Sequence, residues 1–183
     1  MKRLVVAGLL AMFMTKQAES QERLNHEKIR SLYMNAVHSS AGIRPAEDAI
    51  KSLLGKSNPG SRDEALLTAY SGAIGTLRAK HGRWPRARLR NLREGLRVLD
   101  RVADSHPDVV EIRYLRLMSC YYLPGILGRG WSVKKDFQAL ASLLPNEKDQ
   151  IPPDLYRAVA GFVREHGNLS AHEQQALSPT IGP

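Results

Sequence analysis

Cysteine is nearly missing from this chain: among 183 residues there is one, Cys120. A single cysteine excludes an internal disulfide framework and any Cys-rich zinc site. Aromatic residues are scarce at 6%, with two tryptophans. No apolar run approaches the roughly 20 residues a membrane-spanning helix needs. There is no period-two alternation and no Asn-Gly or Asp-Gly turn between alternating apolar residues, so no strand is expected. Acidic residues are in deficit, 18 against 27 basic ones, which leaves a formal charge of +9. That balance points to an anionic partner without saying where it touches.

Motifs of catalysis are absent as well. The glycines at 125, 128 and 130 are not part of a GxxxxGK[ST] phosphate loop and read as a helix-to-helix turn. No serine sits in GxSxG, and His172-Glu173 lacks the second histidine of a zinc protease. Cys120 has no histidine at helical spacing to activate it. Most of the six histidines fall at expected helix ends, where terminal carbonyls favour a cation. The expectation is therefore a protein that is not an enzyme, with no cofactor and no metal.

What is present begins with a leader-like segment. Met1-Lys2-Arg3 precedes eleven uncharged residues, 4–14, and Ala18 and Ser20 stand three and one residues before a possible cut. Those are the three regions of a secretory signal, residues 1–20. The alternative is an N-terminal helix retained as an anchor. Export to the periplasm or the medium is expected, with no transmembrane segment in the mature chain. An oxidising compartment then calls for Cys120 to be buried, and it lies in an apolar helix.

The rest reads as one helical domain over 21–167, with a loose tail at 168–183. Ile29, Leu32, Tyr33, Ala36 and Val37 follow helical periodicity and predict a helix over 23–38. Pro45 opens a second over 45–54, and Ser61 caps a third over 62–80. Its small residues Ala69, Ser71, Gly72, Ala73 and Gly75 invite a close neighbour. Leu89, Leu92, Leu96, Leu99 and Ala103 form the apolar seam of a fourth, 86–105. A fifth over 109–122 is apolar on most sides and expected to be central. A sixth over 131–144 and a seventh from the Pro152-Pro153 pair to 166 complete the set.

Helix starts near 23, 62 and 109 repeat at about 39 and 47 residues, against about 34 for a strict tetratricopeptide repeat. Between 69 and 140, Glu94-Gly95, Pro107, Glu111-Ile112-Arg113, Leu115-Arg116, Pro124, Leu127-Gly128 and Asp136 resemble a group of small exported bacterial proteins. These have tetratricopeptide-like helices and no assigned activity. The resemblance implies an all-α fold of stacked antiparallel hairpins and an exported location, and it implies no reaction.

Two constellations carry the functional expectation. Arg113 and Arg116 lie one turn apart on the apolar fifth helix, where an unpaired buried charge costs several kcal/mol. Glu94, Glu111 and Asp136 are the candidate partners, in an ion-pair network locking three helices. The other reading is a pocket, with Tyr114, that grips a small acid. The second constellation is an arginine stripe: Arg86, Arg90, Arg93, Arg97 and Arg101 recur at +4, +3, +4 and +4, led in by Arg83 and Trp84. Residues 78–101 hold nine Lys and Arg against two Asp and Glu, so this segment supplies +7 of the +9. The expected role is an exported interaction module for a protein or peptide partner, its basic edge meeting an anionic surface. Binding of anionic lipid or another polyanion, or carriage of a small acid, is the alternative; nucleic acid enters only if the leader is misread.

Overall fold

The computed structural model describes the backbone of residues 2–177, with the side chains of Gln17 and of residues 20–177. The leader reading of 1–20 rests mainly on side chains outside the described residues, and so does the end of the expected tail, 178–183. Among the described residues there are eight α-helices and no strand. No helix among them is long and apolar enough to cross a membrane.

Helix α1 (Lys2–His38) runs without a break into the expected 23–38 helix. Ser39 caps the short 3-10 turn Ser40–Gly42 that follows, and α2 (Ile43–Leu54) carries Pro45 in its first turn, where no donor is lost. Helix α3 (Arg62–His81) starts at Ser61, whose hydroxyl accepts from the Glu64 amide at 3.1 Å. Asp63 and Glu64 in that first turn favour the positive end of the helix dipole. Helix α4 (Pro85–Ser105) begins on a proline after Trp84, and α5 (Val110–Tyr121) follows the His106-Pro107 break.

Helix α6 (Gly130–Glu147) outlasts its expected end at 144 and passes over Pro145. Pro145 has no N–H to donate to the Ala141 carbonyl, so the helix gives up one bond where it passes over it. Helix α7 (Pro153–His166) starts as expected. The segment read as a loose tail departs from expectation: it holds α8 (Ala171–Ala176), started by a reciprocal capping box between Ser170 and Glu173. Leu177 after it is buried in the core, which ties the segment down.

The tightest pairing is α3 against α4. A Cβ placed on Gly95 would stand 2.5 Å from the Gly72 carbonyl oxygen, and one on Gly75 only 3.2 Å from the Gly95 Cα. The two backbones therefore meet at glycines, which is the packing reason for two glycines inside α3. Partners run in opposite order, Gly72 beside Leu99 and Gly82 beside Arg88, so the hairpin is antiparallel.

Burial divides into two clusters that share α5. Ile112, Leu115 and Cys120 face a cluster built with α1 to α4, including Ile29, Ile50, Leu67, Ile74 and Leu99. Val110 and Leu117 face a second, built with Phe137, Leu140, Leu144, Val159 and Val163 of α6 and α7. Each fully buried side chain of this kind contributes about 1.5–3 kcal/mol. Helix α5 is thus central, as its apolar pattern on most sides predicts.

Candidate functional site

The basic edge is built on α4. Of its expected apolar seam, Leu96, Leu99 and Ala103 are buried together with Gly95 and Val102, Leu92 is half-buried, and Leu89 in the second turn is exposed, a correction to the continuous seam. Three of the basic residues between 78 and 101 are engaged locally. Arg78 pairs with Glu47 at 2.5 Å, Lys80 donates to the Val37 carbonyl, and Arg88 donates to the Ala79 carbonyl. The remaining six, Arg83, Arg86, Arg90, Arg93, Arg97 and Arg101, are all exposed, and their side chains make no ion pair or hydrogen bond among the described residues.

Acidic relief goes elsewhere. Asp100 accepts two bonds from Arg129, at 2.6 and 3.0 Å. Asp104 accepts from Lys135 at 3.0 Å, and that hydrogen bond holds its carboxyl below the usual carboxylate range. Glu94 is exposed and makes no ion pair among the described residues, so within the stripe it offsets at most one of the charges.

Apolar side chains border this edge. Trp84, at the head of α4, is 77% exposed. Tyr122 at the end of α5 is 70% exposed, Ile126 in the loop between α5 and α6 93%, and Trp131 in the first turn of α6 71%. Gly128 in that loop adopts a left-handed φ of 68° and turns the chain back toward α6, a conformation that favours glycine. The Lys135 ammonium lies over the Trp131 ring, 5.2 Å from its centre.

The second constellation is a closed network. Arg116 donates to both carboxylate oxygens of Asp136, at 2.6 and 2.8 Å, and stands 3.6 Å from Asp100 and from Asp104. Arg113 donates to Asp136 at 3.2 Å and to the Pro107 carbonyl at 3.0 Å. Asp136 is 0% exposed and Arg116 2%. Burial alone would lower the Arg116 guanidinium; the carboxylates of Asp136, Asp100 and Asp104 outweigh it and hold it above its ordinary value. Three helices, α4, α5 and α6, are joined this way.

Two of the expected partners are not part of it. Glu94 points to solvent from α4. Glu111 sits on the other side of α5, where Arg30 of α1 grips both its oxygens at 2.7 Å and Tyr70 of α3 donates its hydroxyl. Helical spacing explains the split, since Glu111 is two residues from Arg113 and so faces away from it. Tyr114 packs edge-on to Phe162 instead of framing an arginine pocket. With both guanidiniums set against the one buried Asp136 carboxylate, this place is a clamp and not an open ligand site. Sequence reasoning missed Arg30, Tyr70, Asp104 and Arg129, whose partners lie 29 or more residues away along the chain or on another helix.

Beside Glu111 a cleft of about 570 Å³ opens between α1, α3 and the α6–α7 connection, lined by His26, Arg30, Glu147 and Ile151 among others. Glu22, His26 and Asp63 bring possible ligand atoms within 4.8 Å of one another there. His26 and Asp63 already satisfy each other, their atoms 2.6 Å apart. Cys120 is buried; burial pushes its thiol up, and Arg129 opposes that only in part. The cleft beside Glu111 and the exposed edge of α4 are both left open on an all-helical scaffold, and the edge carries the concentration of charge. No protein-family model, no curated protein and no solved structure matches the chain.

Proposed function

We propose that this chain is a non-enzymatic, exported helical-repeat module that docks onto an anionic surface through α4. One observation carries the reading: six exposed arginines on or leading into one helix have no ion-pair partner among the described residues, while Asp100 and Asp104 are committed elsewhere and Glu94 alone is left to offset them. A solvated face usually mixes both signs. Here like charges three and four apart repel each other, by about 0.2–0.5 kcal/mol per pair, and an outside anion relieves that.

Support for a repeat-like scaffold comes from the packing order. Helices α1, α3 and α5 touch in succession, and α2, α4 and α6 pack against them. Stacked hairpins of this kind offer surfaces to a partner and need no chemistry of their own. The leader-like residues 1–20 support the exported location.

The test uses heparin as a plain polyanion, with affinity measured across a salt series. A clearly negative slope of log K against log salt is expected. The triple variant R90S/R93S/R97S should bind at least about tenfold more weakly at low salt while keeping its helical circular dichroism. A slope near zero, or a triple variant that binds as well as the parent, overturns the reading.

A further inference from the structure

Resting on that docking role, we propose that the anionic surface is a lipid bilayer, met jointly by the α4 arginines and the apolar loop 122–131. The two features share an edge because the loop is fastened to α4 beside the stripe. Arg129 binds Asp100, and Lys135, which covers Trp131, binds Asp104. On α4 these two aspartates lie three residues beyond Arg97 and Arg101, hence directly beside them on the helix surface. Trp84 marks the other end of the same helix.

The kinds of side chain presented match the layers of a membrane surface. Arginine forks pair with phosphate through two parallel hydrogen bonds. Tryptophan and tyrosine favour the headgroup boundary, where one part of the ring is apolar and one wet. Trp84 leads into the α4 stripe, Trp131 stands under Lys135 where that residue binds Asp104, and the 93%-exposed Ile126 lies at the turn tip for the acyl boundary. Isolated exposed apolar residues are ordinary; Ile126 and Trp131 differ in that the ion pairs of Arg129 with Asp100 and of Lys135 with Asp104 hold their segment against the helix that carries the stripe.

Spacing favours lipid over a folded acidic protein. From Arg86 to Arg101 the stripe extends over about 22 Å of helix. A protein partner must place a carboxylate opposite each arginine in a fixed pattern. Lipids diffuse laterally, so each guanidinium can draw a phosphate to itself. Attraction to an anionic leaflet falls off within a Debye length, so the arginines and the loop act at the same contact.

Sedimentation with vesicles tests this on the full chain, using phosphatidylcholine alone and phosphatidylcholine mixed with phosphatidylglycerol. Binding to the mixed vesicles and not to the neutral ones is expected. R90S/R93S/R97S should lower the partition at least about tenfold. I126S/W131S should lower it by a similar factor, roughly tenfold, through lost apolar burial, while leaving heparin retention unchanged. In a W84F background the Trp131 emission should shift to the blue on mixed vesicles. Equal binding to both vesicles, or full binding by I126S/W131S, overturns the proposal. Because residues 4–14 are themselves apolar, binding that neither set of substitutions lowers belongs to that segment and overturns it too. If vesicles fail while arginine-dependent heparin retention persists, the bilayer falls and the docking role stands; if both fail, both fall.

Discussion

Asp136 joins α6 to α5 through one fully buried carboxylate, which answers two guanidiniums, Arg113 and Arg116, from the neighbouring helix. Removing one partner of a buried pair leaves an uncompensated charge and costs about 3–5 kcal/mol. D136N keeps the shape and removes the charge, and it should lower the unfolding free energy by that amount in urea denaturation. An unchanged midpoint would mean that the network contributes no net stability. Tyr70 gives a second test at this scale. Burial first, and then the Glu111 carboxylate, hold its phenol well above the ordinary tyrosine value, while Tyr33 beside it is pushed up to about 12. The unfolded chain therefore loses these protons first as pH rises, near the ordinary value of about 10. Stability should be intact below about pH 10 and decline above it, and Y70F should make that decline shallower in an alkaline series followed by circular dichroism.

At the scale of elements, the glycines of α3 and α4 and the arginines of α4 make opposite demands. Gly95 lets two backbones meet, and any side chain there strikes the Gly72 carbonyl and the Thr76 amide, 2.5 and 2.9 Å from a Cβ. G95A gains up to about 1 kcal/mol of helix propensity. Overpacking against backbone costs more, about 1–3 kcal/mol, so the variant should be net destabilised in the same denaturation assay. The small-residue run of α3 announces this contact in the sequence, because glycine inside a helix needs a packing reason. Helix positions were equally legible: prolines and capping serines fix the starts of α2, α3, α4 and α7 within about two residues. What escaped were the ends set by tertiary contact. Helix α6 continues past Pro145, and the six-residue α8 is held by Leu177 in the core, beyond the reach of local periodicity. The arginine stripe was visible as spacing, but how little of it is neutralised was not, since that depends on Asp100 and Asp104 facing α5, α6 and the loop between them.

For the whole molecule, α5 decides whether there is one folding unit or two. Long-range partners such as Arg30 with Glu111 and Arg116 with Asp136 attach opposite sides of this helix to different halves of the chain. Its apolar residues do the same: Ile112 is fully buried in the cluster shared with α1 to α4, and Leu117 is fully buried in the cluster shared with α6 and α7. If the halves were separable, α5 would have to leave one of them with an open apolar face and an orphaned charge, Glu111 on one side or Asp136 on the other. Neither half is thus a stable unit alone, and unfolding should be a single cooperative transition. I112A and L117A should each cost about 2–5 kcal/mol, the range for large aliphatic side chains truncated in a core. Both should shift one common midpoint, followed in parallel by circular dichroism and by Cys120 labelling, since that buried thiol reacts only when its cluster opens. A biphasic curve for L117A, with Cys120 still protected after the first step, would show instead that α6 to α8 detach while α1 to α5 stay folded. The basic edge depends on this coupling, because its arginines stand on α4 and its apolar loop leads into α6.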